Sequence, residues 1–246
     1  QMVRGKHRLV ATIPGPLRKI VRHHLLVFRE HMPEGFDLKG ASLGNIVLAA
    51  GYLSNRRHID PVIFIFSKLV QVRGMVRPVV NKDLHLVAQL ETGELVLGQH
   101  LLTGKEVAPI RAKVKRVFLS NDLNDPIEIQ VSIRNKMKAL IAEADLICYP
   151  MGSFYSSLIA NLLPKGVGRA IARNPCPKIF IPNSAKDPET LRLGLAEQIE
   201  RLIGYLKKDA PHRISTGSVL DFVLLDTRGG RYPGRFSKRK LRALGA

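Results

Sequence analysis

The chain has 246 residues, 45% of them hydrophobic, with a mean hydropathy of +0.01, enough apolar material for one large or two modest packed domains. Charged residues make up 24%, and the longest apolar run, around Val62–Phe66, is far short of the roughly 18 residues of a membrane-spanning helix, which excludes disordered and transmembrane classes. Two cysteines, Cys148 and Cys176, outside any CxxC pair, exclude a disulfide framework and point to a reducing cytoplasm, as does the lack of a secretory leader in these residues.

The formal charge of +19 is uneven. Every acidic residue falls between Glu30 and Asp226, whereas residues 1–24 hold six Lys/Arg and residues 228–246 hold seven. Without those 13, 26 basic residues face 20 acidic ones, and the body is only +6. The last stretch, from Arg228-Gly-Gly-Arg231 through Lys238-Arg239-Lys240, has the Gly/Arg composition of a mobile arm able to contact phosphate backbones, so nucleic acid is a possible secondary partner there.

Short apolar runs alternating with amphipathic stretches predict a layered α/β domain. In chain order, helix is expected at Leu43–Leu53. Val62–Phe66 fits a buried strand or, continued through Gln71, a helix, and periodicity leaves both open. Strands are expected at Val76–Val80, Leu84–Leu90 and Leu95–Gln99, the last two joined by a turn at Glu91–Glu94 with Gly93 at the positive-φ position. Further strands follow at Val114–Leu119, Ala144–Tyr149 and Lys178–Pro182, and helices at Pro126–Glu143, Ser153–Leu163 and Pro188–Lys208. Asp187 is placed to cap the last helix and Pro188 to open it. The hairpin is expected as an antiparallel addition to an otherwise parallel sheet.

Familiar catalytic patterns fail. Gly98-Gln-His-Leu-Leu-Thr-Gly104-Lys105 resembles a phosphate loop but has five residues between its glycines, and Glu106 stands where a magnesium-binding hydroxyl belongs. GxGxxG and HExxH are both missing from the sequence. What remains is a set of polar residues at strand-to-helix junctions. Asp145 through Ser157 passes from a buried strand by Gly152 into a helix start, where free N–H groups near Ser153–Tyr155 would hold a phosphate and Ser153 or Ser156 would add a hydroxyl. The competing role for Ser153 is an ordinary helix cap. Ser42-Leu-Gly44-Asn45 leads into the apolar helix, Gly44 allowing close approach by a ligand or by another helix. Asn81 and Asn183 follow strand ends, each acting as a turn residue when taken alone.

In order along the chain, Gly40-Ala-Ser-Leu-Gly-Asn45, Val72-Arg73-Gly74 with Arg77-Pro78-Val-Val-Asn81, the Leu86–Gly93 hairpin, and Ala144-Asp-Leu-Ile with Met151-Gly-Ser-Phe-Tyr-Ser-Ser157 resemble the CofD-like family over residues 36–190. That family includes 2-phospho-L-lactate transferase and the YvcK-type gluconeogenesis factors. The resemblance implies a Rossmann-like three-layer α/β/α sandwich, a mostly parallel sheet with an added β-hairpin, and helix at Pro61–Val72. It further implies a nucleotide-linked small-molecule ligand at the sheet's carboxyl edge and a homodimer.

In the transferase, an acceptor hydroxyl of the deazaflavin precursor takes a lactyl-phosphate group from a guanosine diphospho-donor, releasing GMP, with magnesium. In the regulators the same pocket would hold a nucleotide sugar without turnover. On this mapping Gly152, Ser153, Tyr155 and Ser157 face phosphate, Ser42, Gly44, Asn45, Asn81 and Asn183 orient the ligand, and Asp83 is the candidate magnesium carboxylate. The family's glycine-rich loop and acidic metal segment have no counterpart before Lys39, so the organisation expected is a basic segment at 1–35, the α/β domain at 36–227 and the basic tail at 228–246. Ala41 stands where many members have histidine and Met151 where they often have proline.

Overall fold

The computed structural model describes residues 1–39, 41–104 and 108–234. Gly40, the Lys105 and Glu106 of the imperfect phosphate loop, and the tail beyond Gly234 lie outside the described residues. The chain divides into two compact units, Gln1–Asn81 and Lys82–Ala246.

The first unit is helical: α1 (Arg8–Ala11), α2 (Gly15–His31), α3 (Leu43–Ser54) and α4 (Ile59–Leu69). Pro14 and Pro16 bracket the start of α2, where missing N–H groups cost nothing. Val21 and Leu25, one turn apart, join Val10 and Val47 in the core, flanked by Leu43, Ile46, Phe66 and Leu69. The ambiguous Val62–Phe66 run is therefore helix, with Val62 buried against Gly51. A Cβ on Gly51 would stand 2.4 Å from Val62 Cγ1, so this glycine permits the close approach of α3 and α4. The strand expected at Val76–Val80 is irregular chain. Pro78 lacks a ladder donor, and Val76 is half exposed.

The second unit carries β1 (His85–Leu90), β2 (Leu95–Leu97), α5 (Gln99–Leu102), β3 (Val114–Ser120), α6 (Asn135–Ala142), β4 (Ile147–Tyr149), α7 (Ala160–Leu162), α8 (Val167–Arg173), β5 (Lys178–Phe180), α9 (Leu195–Lys207) and β6 (Phe222–Val223). Gly93 (φ 93°) closes the hairpin. The hairpin does not extend the parallel sheet; β1 pairs with β3 on its other side, giving an antiparallel sheet ordered β2-β1-β3. As the central strand, β1 buries Val87 as well as Leu86, Ala88 and Leu90.

Strands β4-β5-β6 form a parallel sheet, with Tyr149 opposite Phe180 and Ile179 opposite Phe222. Their helical crossovers make the Rossmann-like α/β core. The Tyr149 hydroxyl donates to the Val219 carbonyl at 2.7 Å, tying β4 to the segment before β6.

Two predicted helices are shorter than expected. Of Pro126–Glu143 only α6 is helical; Val131 and Ile133 are buried on either side of exposed Ser132, a period of two, and Ile133 N–H donates to Lys165 O at 3.0 Å. The other, Pro188–Lys208, is broken. A 3-10 turn at Pro188–Thr190 is followed by Arg192 at φ 55°, and Gly194 then starts α9, whose Leu195, Ile199, Leu202 and Leu206 face the core. Residues 228–234, read from sequence as part of a mobile arm, are tied to the body: Arg231 N–H donates to Ser184 O and Leu195 N–H to Pro233 O.

Candidate functional site

In the first unit, Ser42 opens α3 from an extended backbone (φ −73°, ψ 130°) without its hydroxyl capping the helix, and Asn45 is exposed one turn on. Gly44 lies under Phe66, whose ring tip would be 3.4 Å from an added Cβ, and lines an apolar hollow of about 490 Å³ with Leu43, Val47 and Phe66. Asn81, half-buried, closes the unit. The structure gathers these residues into no shared polar cluster among the described residues.

The second unit does build a polar site, at the carboxyl ends of β4 and β5. The chain leaves Tyr149, turns at Gly152 and enters a π-helix at Phe154–Ile159 that continues into α7. Ser153 O accepts from both Ser157 N–H at 3.0 Å and Leu158 N–H at 3.2 Å, the shared acceptor of an α-to-π transition. Asn183, just beyond β5, reaches across: its Oδ1 accepts from Gly152 N–H at 2.9 Å and its Nδ2 donates to Gly152 O at 2.6 Å. Ser157 stands beside Gly152, 3.6 Å from the position a Cβ would take, and is exposed. Gly152, Ser153, Ser157 and Asn183 thus share one rim.

The expectation of free N–H groups at this helix start is corrected. Phe154 N–H donates to Asp187 Oδ2 at 2.8 Å, and Tyr155 and Ser156 N–H donate to Glu189 Oε2 at 2.7 and 2.8 Å. Ser156 Oγ donates to Glu189 Oε1. Two internal carboxylates occupy the anion position that the positive end of a helix creates. Tyr155 is also corrected: its side chain is 1% exposed, in the core, and burial pushes its phenol well above the ordinary range. It presents no ring to a ligand.

Glu189 is itself 1% exposed, and burial raises its carboxyl above the ordinary value against the opposing pull of the Ser156 and Tyr155 donors. Asp187 also accepts from Glu189 N–H (3.0 Å) and from Asn183 Nδ2 (3.3 Å). Sequence reasoning found Asp187 only as a cap for its own turn and missed Glu189, because the helix they cap lies more than thirty residues earlier, a distance that local patterns do not span.

Magnesium is ordinarily held by one or two carboxylates together with ligand phosphates. No group of three or more His, Cys, Asp or Glu suited to a metal occurs among the described residues. The oxygens of Asp187 and Glu189 are engaged by N–H and O–H donors, whereas Asp83, exposed ahead of β1, accepts no hydrogen bond among the described residues. Asp83 is therefore one of the exposed carboxylates that this unit leaves open, as are Glu143 and Asp145. No described helix is long and apolar enough to cross a membrane.

Parallel strands joined by helical crossovers, with a polar rim at their carboxyl ends, define an α/β protein with its crevice at the strand ends. The family model described as 2-phospho-L-lactate transferase CofD matches residues 9–240, and the chain belongs to that family. It is 33% identical over 178 residues to a gluconeogenesis factor of Bacillus subtilis, covering 72% of this chain and 52% of that protein. It is 30% identical over 193 residues to a putative gluconeogenesis factor of Thermotoga maritima, covering 78% and 54%. The chain thus spans about half the length of these curated relatives. A crystal structure of a UPF0052 family member from Bacillus halodurans superposes with a TM-score of 0.65 at 26% identity, covering 98% of this chain and 78% of the other.

Proposed function

We propose that this protein binds a nucleotide sugar at the rim formed by Gly152, Ser153, Ser157 and Asn183 and acts as a regulator of the gluconeogenesis-factor type. The observation that carries this reading is the pair of carboxylates, Asp187 and Glu189, seated at the helix start. Stabilising the charge on a transferring phosphoryl group needs uncommitted donors aimed at its oxygens, and the helix-start donors are committed to the protein's own anions, which favours binding without transfer. The hydroxyls of Ser153 and Ser157, which make no hydrogen bond among the described residues, suit sugar hydroxyls, while Asn183 holds the Gly152 turn in place. The likeness to gluconeogenesis factors supports the same choice.

A second reading, phospholactyl-type transfer from a nucleotide diphospho-donor to an acceptor hydroxyl, is favoured by the family model's match over residues 9–240. In that reading Asp83 holds magnesium. A homodimer is proposed in either case, and the unpaired thiols of Cys148 and Cys176 support a cytoplasmic location.

Calorimetric titration at about 0.15 M salt with magnesium separates the two. The regulator binds UDP-N-acetylglucosamine well above UDP or GDP and forms no product. Tight binding of GDP or of the deazaflavin acceptor, followed by turnover, would replace this reading with the transferase.

A further inference from the structure

Away from this rim, a groove of about 360 Å³ between α6 and α8 is lined by Lys138, Lys165, Arg169 and Arg173 together with Ser132 and Gly166. The backbone fixes both of its ends. At one, Ser132 bridges Lys165, and Lys138 Cε passes 3.9 Å from where a Cβ on Gly166 would lie. At the other, Asn174 Nδ2 donates to the carbonyls of Ile141 and Ala144 at 2.7 and 2.8 Å, so that the two helices end together. Arg169 and Arg173 are one turn apart on the same face of α8.

The four cations are exposed, and among the described residues none of their charged nitrogens is within 4.0 Å of a carboxylate. What holds them is neutral: Arg169 donates to Asp209 O at 3.3 Å, and Lys138 lies 3.4 Å from Asn135 Oδ1. The nearby Asp209 carboxylate accepts from the backbone N–H groups of Gly166 at 2.7 Å and Arg169 at 3.3 Å. Gathering four positive charges in one concavity raises the local potential for anions, and two of them are guanidinium forks matched to phosphate oxygens. The volume is that of a small-molecule pocket, and the lining has no aromatic ring on which a base could stack. Recognition therefore falls on phosphate groups.

We propose that the α6–α8 groove is a second anion site, taking an oligophosphate of two or three phosphates, either free or as the tail of a nucleotide. Titration of the full chain with inorganic tripolyphosphate at about 0.15 M salt tests this. One binding event is expected, weakened at least tenfold in K138Q/R173Q and unchanged in the charge-matched variant K68Q/R73Q, with the thermal midpoints of both variants near wild type. ATP binding as tightly, and with the same variant dependence, identifies a nucleotide tail as the source; tripolyphosphate binding without ATP identifies the free chain. No binding of tripolyphosphate, equal losses in the two variants, or orthophosphate binding as tightly as tripolyphosphate overturns the proposal. So does single-stranded RNA that tripolyphosphate fails to displace from the groove. K138Q/R173Q leaves the Gly152 rim intact, so nucleotide-sugar binding there reports separately.

Discussion

Asn183 grips the backbone of Gly152 in both directions, its carboxamide accepting from the glycine N–H at 2.9 Å and donating to the glycine O at 2.6 Å. One side chain thereby serves as a two-bond strand partner, locking the turns that follow β4 and β5 to each other. Asn183→Ala leaves both backbone groups to water and should cost about 1–2 kcal/mol. Denaturant unfolding measures that loss, and the same variant should lose nucleotide-sugar affinity. Undiminished affinity would remove Asn183 from the site.

Glu189 makes the second unit sensitive to pH. Its folded carboxyl titrates above the ordinary 4.5 because it is buried, so between 4.5 and the folded value the native state holds more proton than the unfolded state. Its contribution to stability therefore falls as pH rises through that window. Glu189→Gln removes this titration, and the thermal midpoint of the variant should decline less between pH 4.5 and the folded value than that of wild type. Glu189→Ala leaves the N–H groups of Tyr155 and Ser156 without their cap and should cost about 2–4 kcal/mol. Parallel pH profiles for wild type and Glu189→Gln would contradict the assignment.

Ser153 offers the opposite test. Its hydroxyl makes no capping bond, while its carbonyl, which any residue supplies, holds the π-turn. Ser153→Ala should change stability by less than about 0.5 kcal/mol and weaken nucleotide-sugar binding, as read by calorimetry. Early unfolding with affinity intact would make it a structural residue.

Gly168 is the point at which α8 meets α9. A Cβ there would fall 1.9 Å from Leu206 O, a backbone atom with no rotamer to yield. Gly168→Ala should cost about 2 kcal/mol or more, since overpacking at a helix contact forces the backbone apart. The thermal midpoint reports it, and a midpoint equal to wild type would mean that the helices separate freely.

Patterns carried by neighbouring residues were legible in the sequence. The Leu84–Leu90 and Leu95–Gln99 arms with Gly93 gave a hairpin, Leu195 to Leu206 gave an amphipathic helix, and the block from Ala144 to Ser157 gave the family. Each depends on side-chain period or local turn chemistry, which sequence records directly. Tertiary structure decided what depends on distant partners. The hairpin pairs with β3 because Val114–Ser120 lies within ladder reach, whereas Val76–Val80 stays irregular with Pro78 in its midst. The donors expected for phosphate hold Asp187 and Glu189 instead, because folding brings β5's trailing loop to the helix start that follows β4. A helix end attracts any nearby anion, and only the fold determines which one arrives first.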